Sequence, residues 1–278
     1  MRFVDLGKER YLSAMAATST ARVTLRYDVQ PTRDDWVLPE EPVPESLPHS
    51  LTVDLIKALL LHWVARVRLD AQVAPNLAVR WVAERPKVGL DPDLCVITPR
   101  TPEGDDLDSL CTWKTGHSAP KLAVEVVSKG HPYKDYARAP EKYAASGTGE
   151  LWVFDPLMVG PKALGGPLRL QVWVRAGDGA FERVYAGDGP AFSPTLNAWL
   201  FAVDEGRRLR IADDREGTLW WRTQAEEAYA ARQAALAETA AALVEKEAAL
   251  IEKEAAIVEK EAALGRIAEL EAELRRRG

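Results

Sequence analysis

Only two cysteines, Cys95 and Cys111, occur in the 278 residues. Two are too few for a disulfide framework or a structural zinc site, which points to a reducing compartment such as the cytoplasm. The four histidines, His49, His62, His117 and His131, follow no metal-ligand spacing. Long apolar runs are also missing. Ala58-Leu59-Leu60-Leu61, closed off by Lys57 and His62, falls far short of the roughly 20 residues of a membrane span. Met1-Arg2-Phe3-Val4-Asp5 lacks a basic stretch leading into an apolar one, so no secretion signal is expected. A positive surplus is absent too: 36 Lys and Arg stand against 42 Asp and Glu, for a net charge of −6. After Arg222 the balance is 8 against 12, which leaves 28 against 30 for the rest. Neither part carries the basic excess that neutralises phosphates. This argues against strong non-specific DNA binding, although a local basic patch stays open. Gly160, Gly165 and Gly166 form no phosphate loop, and Ser128, Ser146 and Ser193 lie in no nucleophile motif.

Proline and glycine are present but unevenly spread. Residues 1–48 carry Pro39-Glu40-Glu41-Pro42 and Pro44, which reads as an irregular extension with one short helix near 8–17. Leu51, Leu55, Ile56, Leu59, Leu60 and Trp63 recur at helical spacing, predicting a helix over 50–69 with Ser50 as its N-cap. Strands are expected at 76–83, 93–98, 121–128 and 150–154. A helix is expected over 134–146, involving Pro140 and closing near Gly147. Two hairpins are expected beyond, 168–175 with 180–185 around Ala176-Gly177-Asp178-Gly179, and 208–212 with 218–222 around Arg215-Glu216-Gly217. The order helix, three strands, helix, strand predicts an α/β domain: a mixed sheet flanked by helices.

No proline follows Pro194, and no glycine separates Gly217 from Gly265. Residues 245–265 repeat every seven: Glu-Lys-Glu-Ala-Ala, then Leu-Ile, Ile-Val or Leu-Gly. These are strong helix formers, and a seven-residue apolar repeat is the mark of a left-handed coiled coil. Ala248, Ala255 and Ala262 take the a positions, with Val244, Ile251 and Val258 at d. Leu243, Leu250, Ile257 and Leu264 widen the stripe, and Ile267, Leu270 and Leu274 resume it. As one helix, 223–278 would span roughly 84 Å. Self-association of such a long C-terminal coiled-coil helix is expected. A solvated single helix held by Glu/Lys pairs is the alternative. The expected parts are thus an N-terminal extension, 1–48, a domain, 49–222, and a helical tail, 223–278.

Two acidic residues stand out. Asp93 opens the apolar run Leu94-Cys95-Val96-Ile97, and Glu125 sits inside Leu122-Ala123-Val124-Glu125-Val126-Val127-Ser128. A carboxylate within an apolar strand is costly unless it is paired or holds a cation. Alternation puts Glu125 on the face opposite Val124 and Val126. Two carboxylates on neighbouring strands offer hard oxygen ligands for magnesium, which can activate water and stabilise developing phosphorane charge. A Glu paired with a buried Lys or Arg is the competing reading.

Pro92-Asp93, Glu125-Val126-Val127-Ser128, Tyr143, Gly147 and Glu150-Leu151-Trp152-Val153-Phe154-Asp155-Pro156 together resemble the Uma-two family of restriction-endonuclease-like proteins, within the PD-(D/E)XK nuclease superfamily. The resemblance runs over about 45–222, with Ser193 to Leu196 matching a late element. It implies a restriction-endonuclease-like fold and Mg²⁺- or Mn²⁺-dependent hydrolysis of nucleic-acid phosphodiester bonds, DNA first. It puts Asp93 and Glu125 on the two metal-ligand positions; Asp91 could replace Asp93 as a ligand, but the family register favours Asp93. His49 matches a recurrent family histidine. The superfamily lysine falls on Val127, and the displaced family lysine on Ala139. Lys134 and Lys142 are therefore the candidate catalytic lysines, with Lys129 beside them. The missing lysines also leave room for a catalytically degenerate binding or scaffold protein that assembles through its coiled coil.

Overall fold

The computed structural model describes residues 22–26, 33–38 and 46–277. The helix expected near 8–17 lies outside them. The described parts of the N-terminal segment are a short strand, β1 (Thr24–Leu25), and a single turn, Asp34–Trp36, that buries Trp36.

Helix α1 spans Leu47–Val67. It starts three residues before the expected Ser50, because Pro48 tolerates a first turn whose N–H groups are unpaired anyway. It ends at Arg68 in the left-handed region, with the Leu69 N–H returning to the Val64 carbonyl. Its buried stripe is Val53, Ile56, Leu59, Leu60 and Trp63; the spacing predicts the last four, whereas Leu51 is exposed, Leu55 is half-buried and Val53 takes their place in the core. Six more strands follow: β2 (Gln72–Pro75), β3 (Ala78–Arg80), β4 (Leu94–Ile97), β5 (Ser109–Cys111), β6 (Leu122–Val126) and β7 (Glu150–Phe154). Between β6 and β7 come a π-helical turn, Lys134–Arg138, and α2 (Ala139–Ser146). The strands β8 (Leu170–Arg175), β9 (Phe181–Gly187), β10 (Ala191–Ser193), β11 (Ala198–Val203) and β12 (Arg208–Ala212) complete the domain.

Among the described residues the main sheet has the order β1-β9-β8-β7-β6-β4-β2. Only β6 and β7 pair in parallel, and the chain between them crosses through α2, as a parallel pair requires. The order helix, three strands, helix, strand holds for this sheet, but the first strand is Gln72–Pro75 and not 76–83. Ala78–Arg80 instead pairs in parallel with Ser109–Cys111 in a separate two-stranded sheet. The second expected hairpin also differs. Arg208–Ala212 pairs with Ala198–Val203, and 218–222 supplies only the isolated bridge Ala212 to Trp220. Asp214 explains this: its carboxylate accepts the Thr218 and Leu219 N–H groups and holds the segment as a loop. Trp221 then stacks on Trp63 at 6.4 Å.

Two apolar layers hold the sheet. Leu94, Val96, Leu122, Val124 and Val126 join the α1 stripe on one face. Cys95, Ile97, Ala123, Val127 and Val153 join Ala139, Tyr143 and Ala144 of α2 on the other. Burying each such Leu, Val or Ile contributes about 1.5–3 kcal/mol. Glu125 therefore points to the α2 side, into an apolar layer.

The chain divides into two compact units between Gln224 and Ala225. The second is helical: α3 runs from Gln224 to Arg277 and would be about 81 Å long. All its large apolar residues from Tyr229 to Leu274 are exposed. Leu250 and Ile251 are sequence neighbours and so point about 100° apart. Glu254 lies four residues from one and three from the other, between the two rows. The Leu row therefore runs beside the Ile/Val row with glutamates separating them, and the stripe is not continuous. Lys246, Lys253 and Lys260 have no glutamate three or four residues away. Ion pairs at that spacing occur in α3 at Glu271–Arg275 and Glu273–Arg277.

Candidate active site

Leu94 faces Val124 in the antiparallel β4–β6 pair, so one step further Asp93 faces Glu125. Opposed residues of such a pair share a face with Cβ atoms about 4.5–5.5 Å apart. The Asp93 Oδ2 accepts the Val126 N–H at 2.6 Å. It also lies 3.2 Å from His49 Nε2, which is 3.1 Å from the Val126 carbonyl oxygen. A carbonyl can only accept, so His49 Nε2 carries the hydrogen. The family-matched histidine thus arrives from the first turn of α1 and steadies the aspartate.

Glu125 is 2 % exposed. Its Oε1 accepts the Tyr143 hydroxyl at 2.7 Å, and its Oε2 lies 3.8 Å from Lys134 Nζ. Burial raises its pKa to about 7. Lys134 opposes the rise, the negative Asp93 adds to it, and the Tyr143 bond opposes it. Lys134 is pushed up in turn, chiefly by Glu125. Tyr143 rises well above its ordinary value, first through burial and then through Glu125.

The two candidate lysines part company here. Lys134 touches Glu125. Lys142 donates to the Gly89 carbonyl at 3.1 Å, and burial lowers its pKa. Lys129 is exposed, and its side chain makes no hydrogen bond or ion pair among the described residues. Val127 and Ala139, where the family pattern expects lysine, are both buried in the apolar layer. A π-helical turn links these observations. The Ala139 N–H bonds the Lys134 carbonyl, five residues back, which stacks Lys134 one turn above Ala139. Pro140, lacking an N–H, cannot extend an ordinary helical ladder at this point.

Asp91 is half-buried, and burial raises its pKa against the pull of Lys134, Arg80 and Lys142. Asp135 escaped the sequence reading. It is 4 % exposed, its carboxyl has no hydrogen bond among the described residues, and burial pushes it well above the ordinary range, with Glu125 next in effect. Its place beside Lys134 gives no signal in the sequence, since a Lys-Asp pair ordinarily faces solvent and only the π-turn buries this one. Among the described residues, no three His, Cys, Asp or Glu side chains converge on one point fit for a metal ion. Two carboxylates do stand together. They suit a cation that keeps several waters and takes one or two protein carboxylates, which describes magnesium.

No helix among the described residues is long and apolar enough to cross a membrane. Residues 33–163 match the Uma2 family, described as "Putative restriction endonuclease". That stretch contains Asp93, Glu125, Lys134 and Lys142 and stops before β8, short of the 222 expected. No curated protein matches the chain. Among solved structures, a protein described as "a putative nuclease belonging to DUF820" from Anabaena variabilis is similar, with 17 % identity and a TM-score of 0.38, over 56 % of this chain and 76 % of that one.

Proposed function

We propose that the Uma2-like part of this chain is a metal-dependent nuclease that hydrolyses phosphodiester bonds in nucleic acid, DNA among them. The observation that carries this reading is the facing pair Asp93 and Glu125, with Lys134 against the second. Residues to hold a divalent cation are at hand. Asp93 spends Oδ2 on the Val126 N–H and His49 and keeps Oδ1 for another ligand. Glu125 spends Oε1 on Tyr143, and its Oε2 meets Lys134 beyond hydrogen-bond length. Magnesium or manganese bound there would acidify a water and offset charge on the phosphate. Lys134 reaches the same place from the side, and its ammonium is set to orient the attacking water and to meet a phosphate oxygen. His49 and Tyr143 act through the carboxylates: each fixes one oxygen and leaves the other to face the substrate.

A second reading has its own support. Lys134 already lies beside Glu125, and both family lysine positions are filled by apolar packing. On this reading the domain is a degenerate nuclease that binds or scaffolds. The 278-residue chain is further proposed to self-associate through the exposed apolar rows of α3. The two readings diverge in one experiment. Purified protein is given Mg²⁺ or Mn²⁺ with DNA and RNA substrates, beside the Glu125→Ala variant, and Mn²⁺ binding is followed by calorimetry. The nuclease reading expects cleavage and Mn²⁺ binding that the variant lacks. No cleavage, with equal Mn²⁺ binding by both proteins, overturns it.

A further inference from the structure

Beside the carboxylate pair lies a hollow of about 270 Å³, lined by Gly130, His131, Pro132, Tyr133, Lys134 and Arg138. Lys134 belongs to both places, since its ammonium is 3.8 Å from Glu125 Oε2. The lining has an unusual composition for an otherwise acidic chain. Lys134, Arg138 and the His131 imidazole flank one aromatic ring, and no acidic residue lines the hollow. Tyr133 is 56 % exposed. Among the described residues its ring packs against no other aromatic, and the side chains of His131 and Arg138 make no hydrogen bond or ion pair. Exposed aromatic surface beside an unpaired guanidinium and a lysine is the equipment that stacks a base while holding its phosphate.

We infer that this hollow is a subsite for one unpaired nucleotide, so that the chain takes single-stranded nucleic acid or an unpaired end. A base can stack on Tyr133 only when its face is free, which duplex stacking forbids. The size agrees. At about 270 Å³ the hollow falls just under the smallest small-molecule sites, about 300 Å³, so it takes one base or its phosphate and nothing larger. Charge agrees as well. With a body balance of 28 against 30, the chain has no basic surplus for tracking duplex phosphates, whereas Lys134 and Arg138 supply two local contacts. The inference rests on the nuclease reading only for its place in the substrate: Lys134 sets the bound nucleotide next to the bond that Asp93 and Glu125 would cut. Binding itself stands independently.

The test is fluorescence anisotropy in EDTA at low salt, with short labelled single-stranded DNA, single-stranded RNA and duplex DNA of equal length. At least one single strand should bind about ten times more tightly than the duplex. Tyr133→Ala should weaken that binding by about tenfold, the size of one lost stacking contact, while Tyr133→Phe retains it. Arg138→Ala should lower the slope of log affinity against log salt by about one. Tyr133 is exposed, so the variants should keep the wild-type circular dichroism. Duplex binding equal to or tighter than both single strands overturns the inference, and so does Tyr133→Ala binding like wild type. Whichever of DNA and RNA binds more tightly identifies the source. Loss of cleavage in Mg²⁺ with these binding results intact removes the nuclease reading alone. Cleavage with Tyr133→Ala indifferent removes the subsite alone.

Discussion

Glu125→Gln keeps the shape of the side chain and an oxygen for the Tyr143 hydroxyl, and it deletes the charge. The consequence depends on pH. In the folded protein Glu125 holds its proton up to about pH 7, against an ordinary value of 4.5. Between those values the folded state binds more protons than the unfolded one, so stability falls as pH rises through that window and levels off above it. The full difference is about 3 kcal/mol, with the attraction to Lys134 already included. Below pH 4.5 both side chains are neutral and the variant should match wild type. At pH 8 it should be more stable by up to about 3 kcal/mol. For a domain of this size that is a rise in Tm of about 6–12 °C. Urea melts followed by tryptophan fluorescence across pH 4.5 to 8 measure this, since the nine Trp residues give ample signal. Mn²⁺ at pH 8 should recover the wild type and leave the variant unmoved. A variant less stable than wild type by about 3–5 kcal/mol at pH 8 would refute the reasoning, because that is the loss expected on breaking a buried ion pair that holds the fold.

Lys134→Met should abolish at least about 99 % of any cleavage and, because Glu125 loses the charge that offsets its burial, should melt lower than wild type at pH 8 but not at pH 4.5, whereas Lys142→Met should lose about 1 kcal/mol with its Gly89 bond and keep most of the rate; kinetics on the same preparations decide which lysine acts. Tyr143→Phe removes the hydroxyl that favours ionised Glu125, so Mn²⁺ affinity, which should climb as pH rises through about 7 in wild type, should climb at higher pH in the variant; an unshifted profile by calorimetry counts against the contact. Sedimentation of the full chain should show association that strengthens in the Glu247→Gln/Glu254→Gln/Glu261→Gln variant, because those glutamates separate the two apolar rows of α3; unchanged sedimentation would mean that the rows do not meet.

Much of the domain was legible in the sequence because its signals were local. The α1 stripe, the closing Gly147 in the left-handed region, and the Gly177-Asp178-Gly179 hairpin follow from spacing and turn chemistry. The errors fell where partners are remote. Residues 76–83 have strand character, but nothing in them says whether they join the main sheet or pair with Ser109–Cys111. Gln72–Pro75 ends in a proline and so reads as a break, yet it forms the edge of the sheet, where a missing donor is tolerated. Arg208–Ala212 had two possible neighbours, and the hydrogen bonds of Asp214 decided against the later one. At the site, Asp93 and Glu125 were visible as acids in apolar strands. Asp135 was not, since burial is a property of the turn that carries it.

That turn also bears on the missing lysine. Seen along the sequence, Val127 and Ala139 are two failures of one pattern and favour a dead site. Seen in space, they are two positions in an apolar layer where an ammonium would need to be desolvated. Lys134 avoids that cost by standing at the rim, half-exposed, one turn before Ala139, whose N–H bonds its carbonyl five residues back. Proline at 140 makes the wider turn the easier backbone solution. A lysine displaced by one such turn keeps its charge beside Glu125 at 3.8 Å. The loss of a motif residue is therefore weak evidence for loss of chemistry wherever the local helix can change its pitch, and the pair Lys134→Met and Lys142→Met tests that principle directly.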